Sequence, residues 1–326
     1  MIISRTPFRI SFFGGGSDFP EFYMNHGGAT LSTTIDKYCY ISVHYLSPFF
    51  KFKHKASYAK TETVDRVSDF QHPLIRECLL YLPVEHGVEI AHASDLPGRT
   101  GLGTSSSFTV GLLNTLHAIR SEKITAEDLA REAILIERER VGDAGGHQDQ
   151  YAAAYGGFLR INYLDTKVTV AHVATASRVI SGLKKHLMLF FMGTERASDV
   201  ILTEQKKRTA INCTALKRMV AMVSEAQAIL ENGSDLTAFG RLLHEGWQLK
   251  KSLAEGISSQ PVDQAYTSAI GAGALGGKLL GAGGCGFLLL FAAPENHPAV
   301  RNQLKHLKEV PFEFSGEGSR IIFKDI

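Results

Sequence analysis

Residues 97–107 read PGRTGLGTSSS, a glycine-rich run that leads directly into a segment with helical spacing. One proline and three glycines disfavour a regular element through the first half of this run. Apolar residues from Phe108 to Leu116 then recur with the period of a helix. The free backbone N–H groups and the positive dipole end of such a helix would face the loop, which suits a bound polyphosphate. An ordinary capped helix after a turn is the alternative, because Thr and Ser are common cap residues.

The composition is that of a globular protein without a strong charge bias. The chain has 326 residues, of which 44% are hydrophobic and 21% charged, with a formal net charge of +2. This length allows two domains, and the near-neutral charge gives no reason to expect a nucleic acid or a membrane surface as a partner. Four scattered cysteines predict neither a disulfide framework nor a structural zinc site. We expect a cytoplasmic protein, because no signal-peptide pattern and no long apolar run is visible.

The order of predicted elements favours an α+β fold over a doubly wound sheet. Neither half of the chain repeats a regular strand–helix unit. Strands are predicted over residues 2–13, 28–46, 88–93, 158–163, 168–173, 187–192, 286–291, 310–314 and 320–323. Helices are predicted over residues 73–82, 105–120, 125–141, 198–231, 235–255 and 298–307, and from residue 261 onward. A change in composition near residues 175–185 predicts two domains, residues 1–178 and 179–326.

A second glycine-rich stretch follows the first predicted strand, where residues 12–18 read FFGGGSD. Glycines at this point let a small ligand approach the backbone closely. Asp18 could accept hydrogen bonds from ligand hydroxyls, since one carboxylate can serve two donors. The alternative, which is the better interpretation of this stretch alone, is a glycine turn with Asp18 as a helix cap before Pro20.

A third glycine-rich stretch, residues 277–287, enters a predicted strand. It satisfies the dinucleotide-binding spacing formally, but it does not open a helix after a strand, so that interpretation fails. A Walker loop fails as well, because position 272 is alanine and position 279 is leucine. The alternative is a glycine-rich crossover that lets two domains pack.

Acidic residues flank a glycine-rich break over residues 136–151. A carboxylate on each side of the break could work as a pair, one holding a metal and the other orienting a hydroxyl. Salt bridges at helix ends explain Arg138, Glu139 and Arg140 adequately. Asp149 is harder to explain in that way, because it follows a glycine turn and precedes a run of small residues. Helical periodicity does not force Glu137 and Asp149 onto one face, since the break lies between them.

Taken together, these stretches resemble the GHMP small-molecule kinases, with three family motifs in order along nearly the whole chain. Residues 12–18, 146–157 and 261–284 are most similar to bacterial D-glycero-D-manno-heptose 7-phosphate kinases, with fucokinase-like enzymes as near relatives. The resemblance implies an N-terminal α+β domain with the phosphate loop, a C-terminal ferredoxin-like α+β domain, and an active site between them. It implies ATP and Mg²⁺ as cofactors and a small sugar phosphate as substrate, without nucleic acid or membrane as partners, and it allows a homodimer.

The resemblance assigns the nucleotide and metal sites residue by residue. Glu137 and Ser105 match the magnesium ligands of the family, although Thr104 and Ser106 are one step away. Such a sparse set suits Mg²⁺, which takes few protein oxygens beside waters and phosphates. The residues that match the ATP phosphate loop are Pro97, Gly98, Gly101, Leu102, Gly103, Thr104, Ser105, Ser106 and Ser107.

The resemblance also assigns the reacting groups and the substrate contacts. Asp149 matches the aspartate near the acceptor hydroxyl, as base or as orienting group, and Arg9 matches the basic residue beside it. One metal, one carboxylate and one cation are enough for phosphoryl transfer, which mainly needs positioning and charge neutralisation. The residues that match substrate contacts are Gly15, Gly16, Asp18, His147, Arg196 and Gly283, with Lys37, Lys53 and Lys278 as weaker candidates for a phosphate contact.

Two departures from the family pattern bear on these assignments. The loop has Thr-Ser-Ser-Ser where relatives often have Ser-Ser-Ala-Ala, so the magnesium-binding hydroxyl is open by one residue. Cys285 replaces a glycine that is common in the third motif, where the backbone packs closely.

The leading hypothesis for the activity is transfer of the γ-phosphate of ATP to the anomeric hydroxyl of D-glycero-D-manno-heptose 7-phosphate. This step lies on the route to nucleotide-activated heptose for capsule or lipopolysaccharide. A kinase for an unphosphorylated sugar such as L-fucose or galactose is the first alternative. A catalytically silent sugar sensor on the same fold is the second, because fold does not determine function.

Overall fold

The computed structural model describes residues 1–165, 167–194, 198–233 and 235–325. Its strands are β1 (Ile2–Phe13), β2 (Gly28–Tyr45), β3 (His54–Ser57), β4 (Thr61–Val64), β5 (Val88–Ser94), β6 (Phe158–Leu164), β7 (Lys167–His172), β8 (Leu187–Gly193), β9 (Ala274–Leu279), β10 (Gly286–Ala292), β11 (Lys308–Glu309), β12 (Phe314–Ser315) and β13 (Arg320–Lys324). Its helices are α1 (Pro20–His26), α2 (Pro73–Tyr81), α3 (Thr104–Ile119), α4 (Ala126–Ile134), α5 (Gln148–Tyr155), α6 (Ser177–His186), α7 (Ser198–Lys207), α8 (Cys213–Asn232), α9 (Leu236–Ser252), α10 (Gln260–Gly271) and α11 (His297–Gln303). Three shorter turns are the 3₁₀ turns Val67–Asp69 and Pro294–Asn296 and the π-helical turn Leu135–Arg140, which continues α4.

The first sheet is built around the antiparallel pair β1–β2. Its strand order is β13-β1-β2-β5-β3-β4, while β12 and β6 also pair with β2, and β7 pairs with β6. β2 is long enough to pair with β6 along its first part and with β5 along its second. Helix α3 packs on β1 and β2, and α8 and α9 from the C-terminal half also contact β1. Strand β1 is therefore buried at every position from Thr6 to Phe13.

The second sheet has the ferredoxin-like arrangement. Its strand order is β11-β8-β10-β9, and all three pairs are antiparallel. Along the chain the order is one strand, a set of helices, two strands, helix α11 and a last strand, which is the split βαβ pattern. The predicted α+β fold with a ferredoxin-like second half is confirmed.

The two halves meet at an aromatic cluster at the end of β1. The rings of Phe12 and Phe13 lie 5.3 and 5.1 Å from the ring of Phe239 in α9, both edge to face. On the other side Phe12 stacks on Phe158 of β6 at 5.5 Å. Such geometry is favourable for aromatic pairs and holds the end of β1 against the second half.

The C-terminal segment returns to the first sheet, where β12 pairs with β2 and β13 pairs with β1. The predicted single strand over residues 310–314 is wrong, because the chain changes sheets there. The Val310 N–H donates to Leu189 O in the second sheet, whereas Glu313 O accepts from Asp36 N–H in the first. The division into residues 1–178 and 179–326 stays a prediction, and it did not anticipate this return.

One predicted helix was too long, and one helix was not predicted. The helix predicted over residues 198–231 is interrupted by turns between α7 and α8. Asn212 anchors the interruption, because its side-chain amide donates to Leu253 O at 2.6 Å. Helix α6 was not predicted; it buries only a narrow apolar face, Val179 and Leu183. In the parts of the chain that the structure describes, no helix is long and apolar enough to cross a membrane.

His117 of α3 forms hydrogen bonds with two carboxylates, at 2.8 Å to Glu122 and 2.7 Å to Glu132. Burial opposes protonation of the imidazole, but Glu132 and Glu122 outweigh it and raise the pKa of His117 above its ordinary value. The resulting stabilisation is complete below the unfolded pKa of 6.5 and is lost as the pH rises through the folded pKa.

We therefore expect the free energy of unfolding to fall above pH 6.5 in a step that the His117→Gln variant lacks. Urea unfolding of both proteins across this range measures the difference. His44→Gln is a matched control, because His44 faces a single carboxylate, Glu89, at 3.7 Å. Parallel pH profiles for the wild type and His117→Gln would contradict the assignment.

Candidate active site

The glycine-rich loop at residues 97–103 leads into α3 through a left-handed backbone. Gly101 and Gly103 have φ values of +79° and +71°, which favour glycine because a side chain would be strained there. Gly103 is the residue before α3, and no side chain caps the helix. The first N–H groups of α3 are thus available to an anion such as a polyphosphate. The capped-helix alternative is not supported, because neither Thr104 nor a serine occupies the cap position.

Arg9 and Asp149 form a bidentate ion pair beside this loop. Arg9 Nε and Nη2 each donate to a carboxylate oxygen of Asp149 at 2.7 Å, and Nη1 donates to Gly101 O at 2.5 Å. The Arg9 backbone N–H donates to Leu102 O. A Cβ placed on Gly103 would lie 3.2 Å from Arg9 Cγ and 3.3 Å from Asp149 Oδ2. The pair therefore lies against the end of the phosphate loop, at the first turn of α5.

Glu137 lies on the π-helical turn, with a side chain buried among polar groups. Ser106 Oγ donates to it at 2.8 Å, Thr109 Oγ1 donates at 2.6 Å, and the Gln150 amide donates as well. Burial raises the pKa of Glu137 to about 7, and the negative charge of Asp143 acts in the same direction, although these three hydrogen bonds lower it. Gln150, the residue after Asp149, therefore links Glu137 to the first turn of α5.

The assignment of Ser105 and Glu137 to Mg²⁺ stays a prediction. The structure brings Glu137 together with Ser106, whereas Ser105 is exposed at the start of α3. The donor set suits Mg²⁺, because one carboxylate with a remaining lone pair and adjacent hydroxyls match its preference for few protein oxygens. In the described ranges no group of three His, Cys, Asp or Glu side chains could form a metal cage.

Asp18 ties the second glycine stretch to the start of α5. Its Oδ1 accepts from the Gly16 N–H at 2.8 Å and its Oδ2 accepts from the Gln148 N–H at 3.3 Å. Gly146 lies so close that a Cβ there would collide with the carboxylate. The residue before α1 is Phe19, with no side-chain cap, so the interpretation of Asp18 as a helix cap is wrong. The predicted glycine turn is present, with positive φ at Gly16.

His147 and Gly15 are two further predicted substrate contacts near this stretch. His147 Nδ1 lies 3.1 Å from the Tyr23 hydroxyl, and burial together with Arg138 lowers the pKa of His147 to about 4. The Gln148 amide lies near Gly15 and its oxygen accepts from Ser11 Oγ at 2.6 Å. A cavity of about 450 Å³ opens beside His147. We call it the side cavity; it is lined among others by Glu21, Arg138, Asp143, His147 and Lys206.

The third glycine stretch packs its backbone against the phosphate loop. A Cβ on Gly101 would collide with Leu280 O, and one on Gly286 would lie 2.6 Å from Thr100 O. Gly283 packs on the backbone of Ile257 rather than on Asp149 or Asp18. These close backbone contacts support the interpretation of the stretch as a crossover that lets the two halves pack closely. Gly283 contributes to this packing through its contact with Ile257.

The candidate phosphate contacts occupy different surroundings. Lys37 pairs with Asp36 at 3.1 Å, and Lys53 is exposed. Lys278 is buried in β9, and its ammonium donates to Phe12 O at 3.1 Å. Arg196 lies outside the described residues.

Two family models match the chain. The model of the GHMP kinase N-terminal domain matches residues 71–157, and the model of the GHMP kinase C-terminal region matches residues 222–309. Together they cover more than half of the sequence. The chain belongs to the GHMP kinase family.

Individual GHMP kinases are similar over their full lengths. A D-glycero-alpha-D-manno-heptose 7-phosphate kinase of Campylobacter jejuni is 27% identical over 97% of each chain. A galactokinase of Pyrococcus furiosus is 24% identical, over 99% of this chain and 97% of its own. The crystal structure of a D-glycero-D-manno-heptose 1-phosphate kinase from Bacteroides thetaiotaomicron superposes with a TM-score of 0.80, at 25% identity over all of both chains.

Several polar residues of this GHMP kinase site were not singled out from the sequence. Thr109 and Gln150 hold Glu137, and Ser11 holds Gln148. Their positions carried a usable signal: Thr109 lies one helical turn after Ser105, and Gln150 is adjacent to Asp149.

Proposed function

We propose that this GHMP kinase transfers the γ-phosphate of ATP to the anomeric hydroxyl of D-glycero-D-manno-heptose 7-phosphate, giving the 1,7-bisphosphate. The observation that carries the proposal is the partly buried Arg9–Asp149 pair against Gly103, at the end of the phosphate loop. It provides a carboxylate for an acceptor hydroxyl and a cation for the transferred group at one point. Phosphoryl transfer needs mainly this positioning and charge neutralisation.

Each group then has a defined part in the reaction. The acceptor hydroxyl oxygen bonds to the γ-phosphorus, the bond from that phosphorus to the bridging oxygen of ADP breaks, and the hydroxyl proton leaves. Asp149 orients the hydroxyl and accepts its proton, while the N–H groups at the start of α3 hold the phosphates. Glu137 with Ser105 or Ser106 would hold Mg²⁺, which neutralises charge on the phosphate oxygens when bound.

The sugar would occupy the space between the second glycine stretch and the start of α5. Asp18 is buried there with a carboxylate of the kind that accepts hydrogen bonds from sugar hydroxyls. The similarity to the Campylobacter jejuni heptose 7-phosphate kinase supports a heptose phosphate as the sugar. We propose a cytoplasmic enzyme whose product leads to nucleotide-activated heptose for capsule or lipopolysaccharide.

A kinase for an unphosphorylated sugar is the second candidate, and the galactokinase similarity favours it. That relative covers as much of the chain as the heptose kinase does, at 24% identity. Both candidate functions would use the phosphate loop and the Arg9–Asp149 pair. They differ in whether the sugar carries a phosphate at the end away from the reacting hydroxyl.

A coupled assay of ADP release with Mg²⁺ and ATP separates these candidates. The panel contains D-glycero-D-manno-heptose 7-phosphate, the same heptose without phosphate, L-fucose and galactose, with phosphorus NMR to locate the new phosphate. We expect turnover with the 7-phosphate alone and a new phosphate at the anomeric carbon. Turnover of a free sugar instead would establish the second candidate. ATP binding without turnover of any sugar would favour the silent sensor.

A further inference from the structure

Gln148, the first residue of α5, has a side-chain amide that uses only one of its two ends. Its Oε1 accepts from Ser11 Oγ at 2.6 Å, and its backbone N–H donates to Asp18 Oδ2 at 3.3 Å. Within the part of the chain that the structure describes, the amide nitrogen Nε2 donates no hydrogen bond. This nitrogen is not fully enclosed, since the side chain is only partly buried. Its two N–H groups are therefore available to a ligand.

Ser11 holds this amide in place from β1. Ser11 is 4% exposed, and in the described ranges its hydroxyl has one hydrogen-bond partner, Oε1 of Gln148. A buried hydroxyl without a partner costs free energy, so this contact is favoured in the folded protein. Because the oxygen end of the amide faces Ser11, the nitrogen end points away from the strand.

The Ser11–Gln148 pair lies next to the Arg9–Asp149 pair. Arg9 and Ser11 are two residues apart on β1, so their side chains share one face, and the pairing of this stretch with β2 is regular. On α5, Gln148 and Asp149 are consecutive residues of the first turn. Two residues of a strand span roughly 7 Å. The amide donor thus lies within about 7 Å of a carboxylate that is itself 24% exposed.

The second glycine stretch leaves space against this nitrogen. A Cβ on Gly14 or Gly16 would collide with other parts of the chain. On Gly15 the nearest atoms would be Gln148 Nε2 at 3.6 Å and Ser11 Oγ at 3.9 Å, which are ordinary contact distances. Room for at least one ligand atom therefore exists beside the nitrogen, on the side where Gly15 has no side chain.

We infer that Gln148 binds the sugar hydroxyl on the carbon next to the reacting one, with Ser11 as its positioning residue. Two hydrogen bonds of about 2.8 Å fit the spacing, one from the reacting hydroxyl to Asp149 and one from Gln148 Nε2 to the neighbouring oxygen. For transfer to the anomeric hydroxyl, the neighbouring group is the 2-hydroxyl. The inference rests on the proposed function, because it takes the reacting hydroxyl to lie at Asp149.

The test is a kinetic cycle between the side chain and the sugar group. Gln148→Met keeps the length of the side chain and removes both N–H donors. KM is measured for wild type and variant with heptose 7-phosphate and with its 2-deoxy analogue. We expect the variant to raise KM for the 2-hydroxy sugar by about 3- to 10-fold, as for a neutral hydrogen bond, and to leave KM for the analogue and for ATP unchanged. Equal rises with both sugars would overturn the inference.

Gly15→Ala tests the same contact without altering Gln148, so the proposal stays testable if Gln148→Met folds poorly. Gly15 does not have a positive φ, and the added methyl would cover the amide nitrogen at 3.6 Å. It should reduce the preference of the enzyme for the 2-hydroxy sugar over the analogue. An unchanged preference would count against the contact.

The role of Ser11 has its own measurement. Ser11→Ala should raise KM for the 2-hydroxy sugar in the wild-type background and change it no further in Gln148→Met, because Ser11 acts through the amide. A further rise in the double variant would show a separate structural role and overturn the assignment of Ser11.

Gln260→Met is the matched control, because Gln260 is also the first residue of a helix, α10, and is exposed. It should leave KM for both sugars unchanged. The cycle uses whichever sugar of the panel the wild type phosphorylates at the anomeric carbon. Turnover of a free sugar would overturn the proposed heptose 7-phosphate, while the 2-deoxy comparison would still decide the role of Gln148. No turnover of any sugar would overturn both.

Discussion

The Asp149→Asn variant loses turnover by about 10²- to 10⁴-fold, the range that a positioned acid–base group supplies, while its KM for ATP stays near the wild-type value. Asparagine keeps the shape of the side chain but removes the charge and the proton-accepting oxygen. It also leaves Arg9, which is 5% exposed, without its bidentate partner. In the proposed site the nucleotide would lie against the loop and the start of α3, so its binding should depend little on Asp149.

Steady-state kinetics with the phosphorylated heptose and with varied ATP measures this change. Asp128→Asn is a matched control, because Asp128 is also an acid in the first turn of a helix but is exposed and remote from the loop. Turnover of Asp149→Asn at the wild-type rate would remove Asp149 from the reaction. A parallel loss of ATP affinity would point to a structural role for the ion pair instead.

The Glu137→Gln variant needs much more Mg²⁺ and loses kcat/KM for Mg-ATP by about 100-fold or more, because a metal contact to a transferring phosphate is worth several kcal/mol. The single amide oxygen of glutamine can accept from one of the Ser106 and Thr109 hydroxyls, and its NH2 group can donate to the other, so the pocket keeps its packing. Magnesium titrations of activity measure the effect. Glu139→Gln is the control, since Glu139 lies two residues away on the same π-helical turn with an exposed side chain.

The wild type and the Glu137→Gln variant should differ in how their Mg²⁺ requirement and their folding stability change with pH. Because burial raises the pKa of Glu137 to about 7, the wild type should require less Mg²⁺ as the pH rises through that value. Without metal, folding stability should fall between the ordinary pKa of 4.5 and about 7, since the folded state holds the proton more tightly there. Glu137→Gln should lack both effects and be the more stable protein above pH 7 in chelator. A Mg²⁺ requirement that is independent of pH in the wild type would contradict this assignment.

Local patterns predicted most of the elements because those elements depend on short-range preferences. The spacing after residue 104 and the glycines before it define α3 and its loop, and the hydrophobic and β-branched character of residues 2–13 defines β1. The wrong predictions lie where contacts between residues far apart in the sequence determine the local structure. The change of sheets near Val310 depends on Leu189 and Asp36, and the break before α8 depends on Leu253.

The candidate site shows the same difference between what local sequence patterns predict and what contacts between distant residues determine. The family motifs predicted Arg9, Asp149 and Glu137 as site residues, but they left the hydroxyl that faces Glu137 open by one residue. Successive residues of a helix point about 100° apart, so the packing of α3 against the π-helical turn decides between Ser105 and Ser106. In the structure Ser106 makes that contact.

The sequence by itself determined the residue types of the chemistry, the glycine-rich loop before α3, and the family whose motifs these are. Only the tertiary structure decided which of those residues meet. Arg9 and Asp149 are 140 residues apart, and Lys278 and Phe12 are 266 apart. Backbone and side-chain preferences act over a few residues, whereas contacts at such separations arise when sheets and helices bury their apolar faces together.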